Sequence, residues 1–303
     1  MLDYTLKRIG LCIVTLFVII TITFFAMNAI PGGPFDSEKA PSEQVKQVLL
    51  ERYHLDKPLG EQYILYLKNL LHGDFGVSLK TGRNISDTIS QTFGISLSIG
   101  FRAIFLSLIF GVFFGSIAAF NKDLFLDRFI MLFTTLFVSI PSFIAASLLL
   151  YIFCLKLKLI PVWSVENKNY ILPVISLMIY PLANINRLTR TSMIDALSQD
   201  YIRTAKAKGV STKNIIFKHA LRNALIPVLT YIGPMSAFVI TGSFVIETIF
   251  TIGGLGMEFV TSITTRDYSM IMGTSIFLAS LVVIISLISD LCYKIVDPRI
   301  KFD

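Results

Sequence analysis

Six stretches without a single charged side chain govern what this 303-residue sequence can fold into. They are 9–35, 103–121, 129–155, 169–186, 223–246 and 268–289, each 18 to 27 residues long. At 1.5 Å rise per residue, about 20 apolar residues in a helix cross the ~30 Å hydrocarbon core of a bilayer. The windows predict an all-α, polytopic membrane protein with six transmembrane helices, near 9–30, 98–120, 129–155, 170–190, 224–249 and 268–292. Hydrophobic residues make up 54% of the chain and charged residues 16%, whereas a soluble domain carries about a quarter charged. A soluble enzyme, a secreted disulfide scaffold and a disordered chain are excluded as main readings. A transmembrane barrel would instead show strands alternating over about 10 residues.

The first window reads as a retained helix. It is longer than the roughly 7–15 apolar residues of a signal peptide, and no small-x-small cleavage site follows it. Cys12, Cys154 and Cys292 lie in or beside apolar spans and make neither a metal spacing nor a disulfide framework. The formal charge of +7 reports topology rather than nucleic-acid binding. With both termini inside, 15 Lys/Arg fall on inner segments and 4 on the short outer loops. This predicts cytoplasmic termini, and it places Trp163 at the outer interface.

The chain divides into residues 1–30 (tail and first span), an extracytoplasmic amphipathic insertion at 31–97, and a core at 98–303 carrying five spans. In the insertion, Ser42 can cap a helix bearing Val45, Val48, Leu49 and Tyr53. Asp56-Lys57-Pro58-Leu59-Gly60 breaks it. A second amphipathic run holds Tyr63, Tyr66, Leu67, Leu70 and Leu71 and ends at Gly73-Asp74-Phe75-Gly76. A third starts at Asn84 and leads into span two. Such helices lie on the membrane surface or pack on the outer ends of the spans.

A cytoplasmic hairpin spans 191–223. Asp195 and Asp200 come early and Arg203, Lys206 and Lys208 late, as suits the dipole of a short helix. Gly209 is a natural terminator, and Ser211 can cap the helix that follows. Read from its residues alone, this is a basic amphipathic hairpin that a solvated loop touching anionic lipid would also explain.

Asp200-Tyr201-Ile202-Arg203-Thr204-Ala205-Lys206-Ala207-Lys208-Gly209 closely resembles the "EAA" loop of the peptide-importer branch of ATP-binding-cassette permeases. Against the wider family pattern, only Ala205 and Gly209 fit the Glu-Ala-Ala and Gly places. His219 to Pro227 is similar to the same branch. So, in the branch's order, are Ala29 to Asp36, Tyr53 to Leu59, His72 to Gly76, Ile249-Phe250, Gly253 to Gly256, Arg266-Asp267-Tyr268 and Asp297-Pro298-Arg299. The chain is therefore identified as resembling B-type subunits of the oligopeptide/dipeptide permease family, over essentially its whole length.

The resemblance implies a type I importer permease of the bacterial plasma membrane that carries no cofactor of its own. The implied partners are a second homologous permease, two cytoplasmic ATPases holding ATP and magnesium, an extracytoplasmic substrate-binding lipoprotein, peptide substrate and membrane lipid. The sequence contains no Gly-x-x-x-x-Gly-Lys-Ser/Thr phosphate cradle, so the energy must come from another chain. By resemblance the hairpin around Ala196–Ser211 couples to an ATPase. Ala205, Ala207 and Gly209 would permit close approach, and Tyr201 and Ile202 would serve as apolar anchors. Arg203 and Lys206, with Lys208, would either pair with acids or solvate.

Polar and kinked positions inside spans are the candidate pathway: Ser139, Pro141, Ser142, Asn184, Asn186, Thr241, Ser243 and Glu247. Pro141, Pro181 and Pro234 are candidate hinges or static kinks. Glu247 reads either as a functional intramembrane acid or as an interfacial one near the outer end of span five. Arg102 reads as a snorkelling interfacial residue or a substrate ligand. His54, His72 and His219 are too scattered to hold a metal together. Competing functions are an importer of dipeptide, nickel or glutathione and, more remotely, an ion-coupled secondary transporter, for which no pseudo-repeat is visible. None of the histidines needed by an intramembrane protease lies in a span.

Overall fold

The computed structural model describes residues 2–30, 47, 55–211, 214–241 and 243–296. Among them the regular structure is entirely helical, apart from one isolated bridge between Val77 and Asn84. The chain forms two compact units, one of residues 1–95 with 253–283 and the other of 96–252 with 284–303. The expected helix capped by Ser42 lies outside the described residues.

The first unit starts with α1 (Leu2–Ala29) and α2 (Leu59–Leu71). The apolar spacing seen in 63–71 has a definite use here, because the aromatic face of α2 packs on α1. Phe24 lies 5.3 Å from the Tyr63 ring and 5.7 Å from the Tyr66 ring, and Thr21 and Tyr63 share a 2.6 Å hydrogen bond. The start of α3 (Ile85–Phe120) joins α10 (Leu255–Thr264) and the start of α11 (Tyr268–Val296) around Ile85, Ile89, Leu255 and Met270, with Phe75, Phe93 and Phe277 at the edge.

Two segments 189 positions apart meet in this unit. Ser78 Oγ donates to Asp267 Oδ2 at 2.5 Å, and the Leu79 and Met270 amides donate to Asp267 Oδ1 at 3.3 and 3.2 Å. Asp267 is 3% exposed. It caps α11 and anchors the turn after Gly76 with one carboxylate, as the free amides of a helix start invite. Asp267→Ala would strand three donors, one of them the buried Ser78 hydroxyl. We expect a loss of ~2–4 kcal/mol, read as faster proteolysis of the 72–84 segment in mild detergent.

The second unit contains the rest of α3, then α4 (Phe125–Ser139), α5 (Ser142–Leu149, continuing as a π-helical turn to Lys156) and α6 (Ile171–Ser198). After α6 come α7 (Asp200–Ala207), a π-helical turn at Ile215–Ala220, α8 (Leu221–Thr241) and α9 (Phe244–Ile249). Among the described residues, five helical stretches are long and apolar enough to cross a membrane: Thr5–Ala29, Ile85–Phe120, Ile171–Ser198, Ile215–Ile249 and Tyr268–Cys292. The third expected span is not one straight helix. It is the pair α4 and α5, bent by 102°, and it supplies the sixth span only when the two halves count as one. Ile140 is extended (φ −84°, ψ 119°), because the residue before a proline avoids helical geometry, and Pro141 then opens α5.

The other candidate hinges behave differently. Pro181 lies inside continuous α6, and Pro227 and Pro234 inside continuous α8. Pro181 is buried, whereas Pro227 and Pro234 are exposed like Pro141, so exposure does not decide which proline breaks its helix.

Candidate functional site

The hairpin after α6 is built from the residues upward. Gln199 leaves helical geometry (φ −72°, ψ 151°) and lets α7 begin at a new angle. Ile202 and Ala205, three positions apart, form the inward face of α7. Ile202 is 1% and Ala205 7% exposed. They pack with Met193 and Ala196 of α6, Ile215 and Ala220 of the π-helical turn, and Ala224 of α8. The helix ends in a glycine-dependent double bond. Gly209 N–H donates to Lys206 O at 3.0 Å and Val210 N–H to Ala205 O at 3.1 Å, with Gly209 at φ +74°. That is a Schellman arrangement, and Val210 closes it by packing on the same cluster as Ala205. Only glycine takes such a φ without cost.

This placement sorts the expected coupling residues into two groups. Ile202 and Ala205 face their own chain, so the expectation that Ile202 anchors a partner and Ala205 admits one is corrected; both hold α7 in place. Asp200, Tyr201, Arg203, Lys206, Ala207 and Gly209 are exposed. Lys208 is exposed as well, and Thr204, absent from the expected set, joins Tyr201 on the outer face. The period of 3.6 applied to residues 200–208 would have found Thr204, since Ile202 and Ala205 mark the opposite side. Tyr201 Oη accepts a 3.0 Å bond from Asn223 Nδ2, which ties the outer face to α8. Asp200 and Arg203 approach to 3.5 Å, but both are open to solvent, so the pair adds little.

The expected pathway residues do not come together as one lining. Ser139, Pro141 and Ser142 sit exposed at the α4–α5 bend, with Ser139 Oγ donating to Thr135 O at 2.8 Å. Asn184 is half-buried and bonds back to Tyr180 O at 3.0 Å. Thr241 likewise bonds back to Ala237 O at 2.7 Å. Asn186 is 2% exposed and donates to Thr134 Oγ1 at 2.7 Å, a bond between α6 and α4. Ser243 and Glu247 are buried and bonded to each other at 2.5 Å. Glu247 is 0% exposed, so its reading as a solvated interfacial acid is corrected: its carboxylate is enclosed and accepts a hydrogen bond from the buried Ser243 hydroxyl.

The sequence reading missed one ion pair. Arg190 Nε and Nη2 donate to Asp127 Oδ1 and Oδ2 at 2.6 and 2.7 Å, and the Asp123 amide adds a 2.9 Å bond to Oδ2. The Asp127 side chain is 3% exposed. It joins the first turn of α4 to the part of α6 that leads into the hairpin, eleven residues before Tyr201. A charge at the rim of an uncharged window was the available signal. Its partner, 63 positions away, was not visible.

Residues 111–302 match the family model described as the inner membrane component of binding-protein-dependent transport systems. The chain belongs to that family. A companion model for the N-terminal part of such membrane components matches residues 1–100. The chain is 46% identical to the dipeptide transport system permease protein DppB of Bacillus subtilis (strain 168), over 99% of this chain and 98% of the relative. It is 42% identical to the oligopeptide transport system permease protein OppB of Haemophilus influenzae, over the full length of both. A solved amino acid ABC transporter, crystallised with histidines, aligns with TM-score 0.54 at 15% identity, covering 71% of this chain and 95% of that one. The last likeness shows that the helical permease fold is shared. The chain is thus a multi-pass inner-membrane permease component.

Proposed function

We propose that this chain is one permease subunit of an ATP-driven peptide importer. It would form half of the translocation pathway and take its energy through the outer face of α7. The single observation that carries the reading is the full-length likeness to two peptide permeases, joined to a short helix whose polar face is held outward by its own buried one. The proposed partners are a second homologous permease, two ATPases that bind ATP and magnesium on the inner side, and an external substrate-binding lipoprotein. The excess of Lys/Arg around the hairpin and both termini supports a cytoplasmic placement for these three segments.

Alternating access would follow from α7 moving with its ATPase and carrying α6. Oligopeptide is the proposed substrate. Dipeptide is the second reading, favoured by the higher identity to the dipeptide permease.

Ala207 separates docking from folding, because it is exposed on α7 and its substitution leaves Ile202 and Ala205 untouched. In the assembled complex, Ala207→Trp is expected to leave expression and the permease pair intact while reducing co-purified ATPase at least about tenfold, a loss of ~1.4 kcal/mol or more. Quantitative mass spectrometry of the affinity-purified complex reads both. Unchanged ATPase recovery would overturn the assignment of α7, and a chain that purifies alone from native membranes would overturn the importer reading itself.

A further inference from the structure

Along α3 and α6 the second unit carries a continuous apolar groove with a cationic head. Its wider part, about 710 Å³, is lined by Phe105, Phe110, Val174 and Met178 and ends at Arg102 and Lys168. A second part, about 510 Å³, shares Phe110 and Met178 and continues past Phe114 and Phe133. From Arg102 to Phe114 the helix rises about 18 Å, close to the ~15 Å depth of one leaflet's hydrocarbon. The groove is therefore one leaflet deep.

Its head is organised. The Arg102 guanidinium lies 5.4 Å from the centre of the Tyr170 ring, which orients it over the groove mouth. Neither Arg102 nor Lys168 forms an ion pair with a carboxylate among the described residues, although Glu166 is only two positions from Lys168. Two cations at the end of an apolar, leaflet-deep groove match one class of ligand in both charge and shape.

The geometry points to a binding site for a single anionic phospholipid, its headgroup on Arg102 and Lys168 and one acyl chain along Phe105, Phe110 and Phe114. Under the proposed orientation this lipid belongs to the outer leaflet. The site concerns the membrane-embedded chain and does not depend on which substrate is carried.

The test uses the whole complex in bilayer discs of phosphatidylcholine doped with phosphatidylglycerol bearing a photoreactive acyl chain. Crosslinked peptides are mapped by mass spectrometry. Labelling is expected within 105–114 and 171–182, falling about thirtyfold in Arg102→Gln/Lys168→Gln, the scale set by removing two cations from an anionic surface. Labelling elsewhere on the chain should stay constant, which controls for a variant that misfolds, and Arg102→Lys should retain most of the signal. Three results would overturn the site: no labelling within 105–114 and 171–182, equal labelling by a neutral phosphatidylcholine probe, or equal labelling of the double variant. ATP-dependent peptide uptake, measured on the same samples, reports separately on the importer reading.

Discussion

Asp127→Ala is expected to cost ~3–5 kcal/mol and to leave little intact permease in detergent, because it strands a guanidinium in a largely enclosed site. The geometry behind this is a two-point contact at 2.6 and 2.7 Å around an almost fully buried carboxylate. Arg190→Ala should be comparably damaging, since it leaves a buried carboxylate with only the Asp123 amide. Asp127→Leu with Arg190→Leu removes both charges at similar volume and should recover most of the stability, as replacing a whole buried pair with apolar groups often does. Exchanging the charges should recover less. Asp127 sits in the first turn of α4, where the helix dipole and the Asp123 amide both favour an acid. Temperature-ramped size-exclusion of the four variants checks the order. Single variants as stable as the parent, or a double variant whose cost equals the sum of the two single costs, would show that the pair carries no energy.

The apolar double variant has a second use. If Arg190 serves only to stabilise, it should transport normally. If the pair also keeps α4 in step with α6 as the hairpin moves, more ATP will be spent per substrate at unchanged stability.

The second large effect is steric. Gly111 and Gly115 are four residues apart on α3 and lie against α6. A Cβ on Gly115 would meet Asn186 O at 2.6 Å and Thr189 Cβ at 2.7 Å, and one on Gly111 would meet Ile185 Cγ2 at 2.7 Å. In a bilayer, where apolar burial gives helices no special preference for each other, such small-residue approaches are a main source of association. The obstacle at Gly115 is backbone, which cannot rotate away. Gly115→Val should therefore force α3 and α6 apart and cost ~3 kcal/mol, with Gly115→Ala at about 1–3. Gly94, on the same helix, supplies the control, because a methyl added there would meet nothing within 4 Å. Gly94→Ala should be neutral or gain up to ~1 kcal/mol from helix propensity. Folded yield after extraction distinguishes the three.

These two effects mark where the sequence stops being legible. Apolar windows located the spans because hydropathy acts through a one-dimensional sum over about 20 residues. Pro141 was readable as a break because proline acts on its own backbone. Gly209 was readable for the same reason, and the structure gives it the terminating role its type suggests. What stayed hidden depends on residues distant in sequence. α4 starts four residues ahead of the expected boundary, and the first-turn Asp127 is held by Arg190, 63 positions away. Pro181 and Pro234 do not break their helices. Glu247 is buried beside Ser243, which a reading of span ends could not reveal. Two features were within reach and went unread: the Gly-x-x-x-Gly spacing at 111–115, and the helical period that turns Ile202 and Ala205 inward.

The central claim is that this chain moves peptide with energy received from other subunits. Reconstitution of the complex into proteoliposomes, with the external binding protein on one side and ATP on the side of the ATPases, tests it most directly. The account predicts uptake of a labelled short peptide that requires ATP, the binding protein and this chain, and that is lost in Ala207→Trp. Uptake driven by an ion gradient without ATP would contradict it, as would ATP-driven uptake of nickel or glutathione with none of peptide.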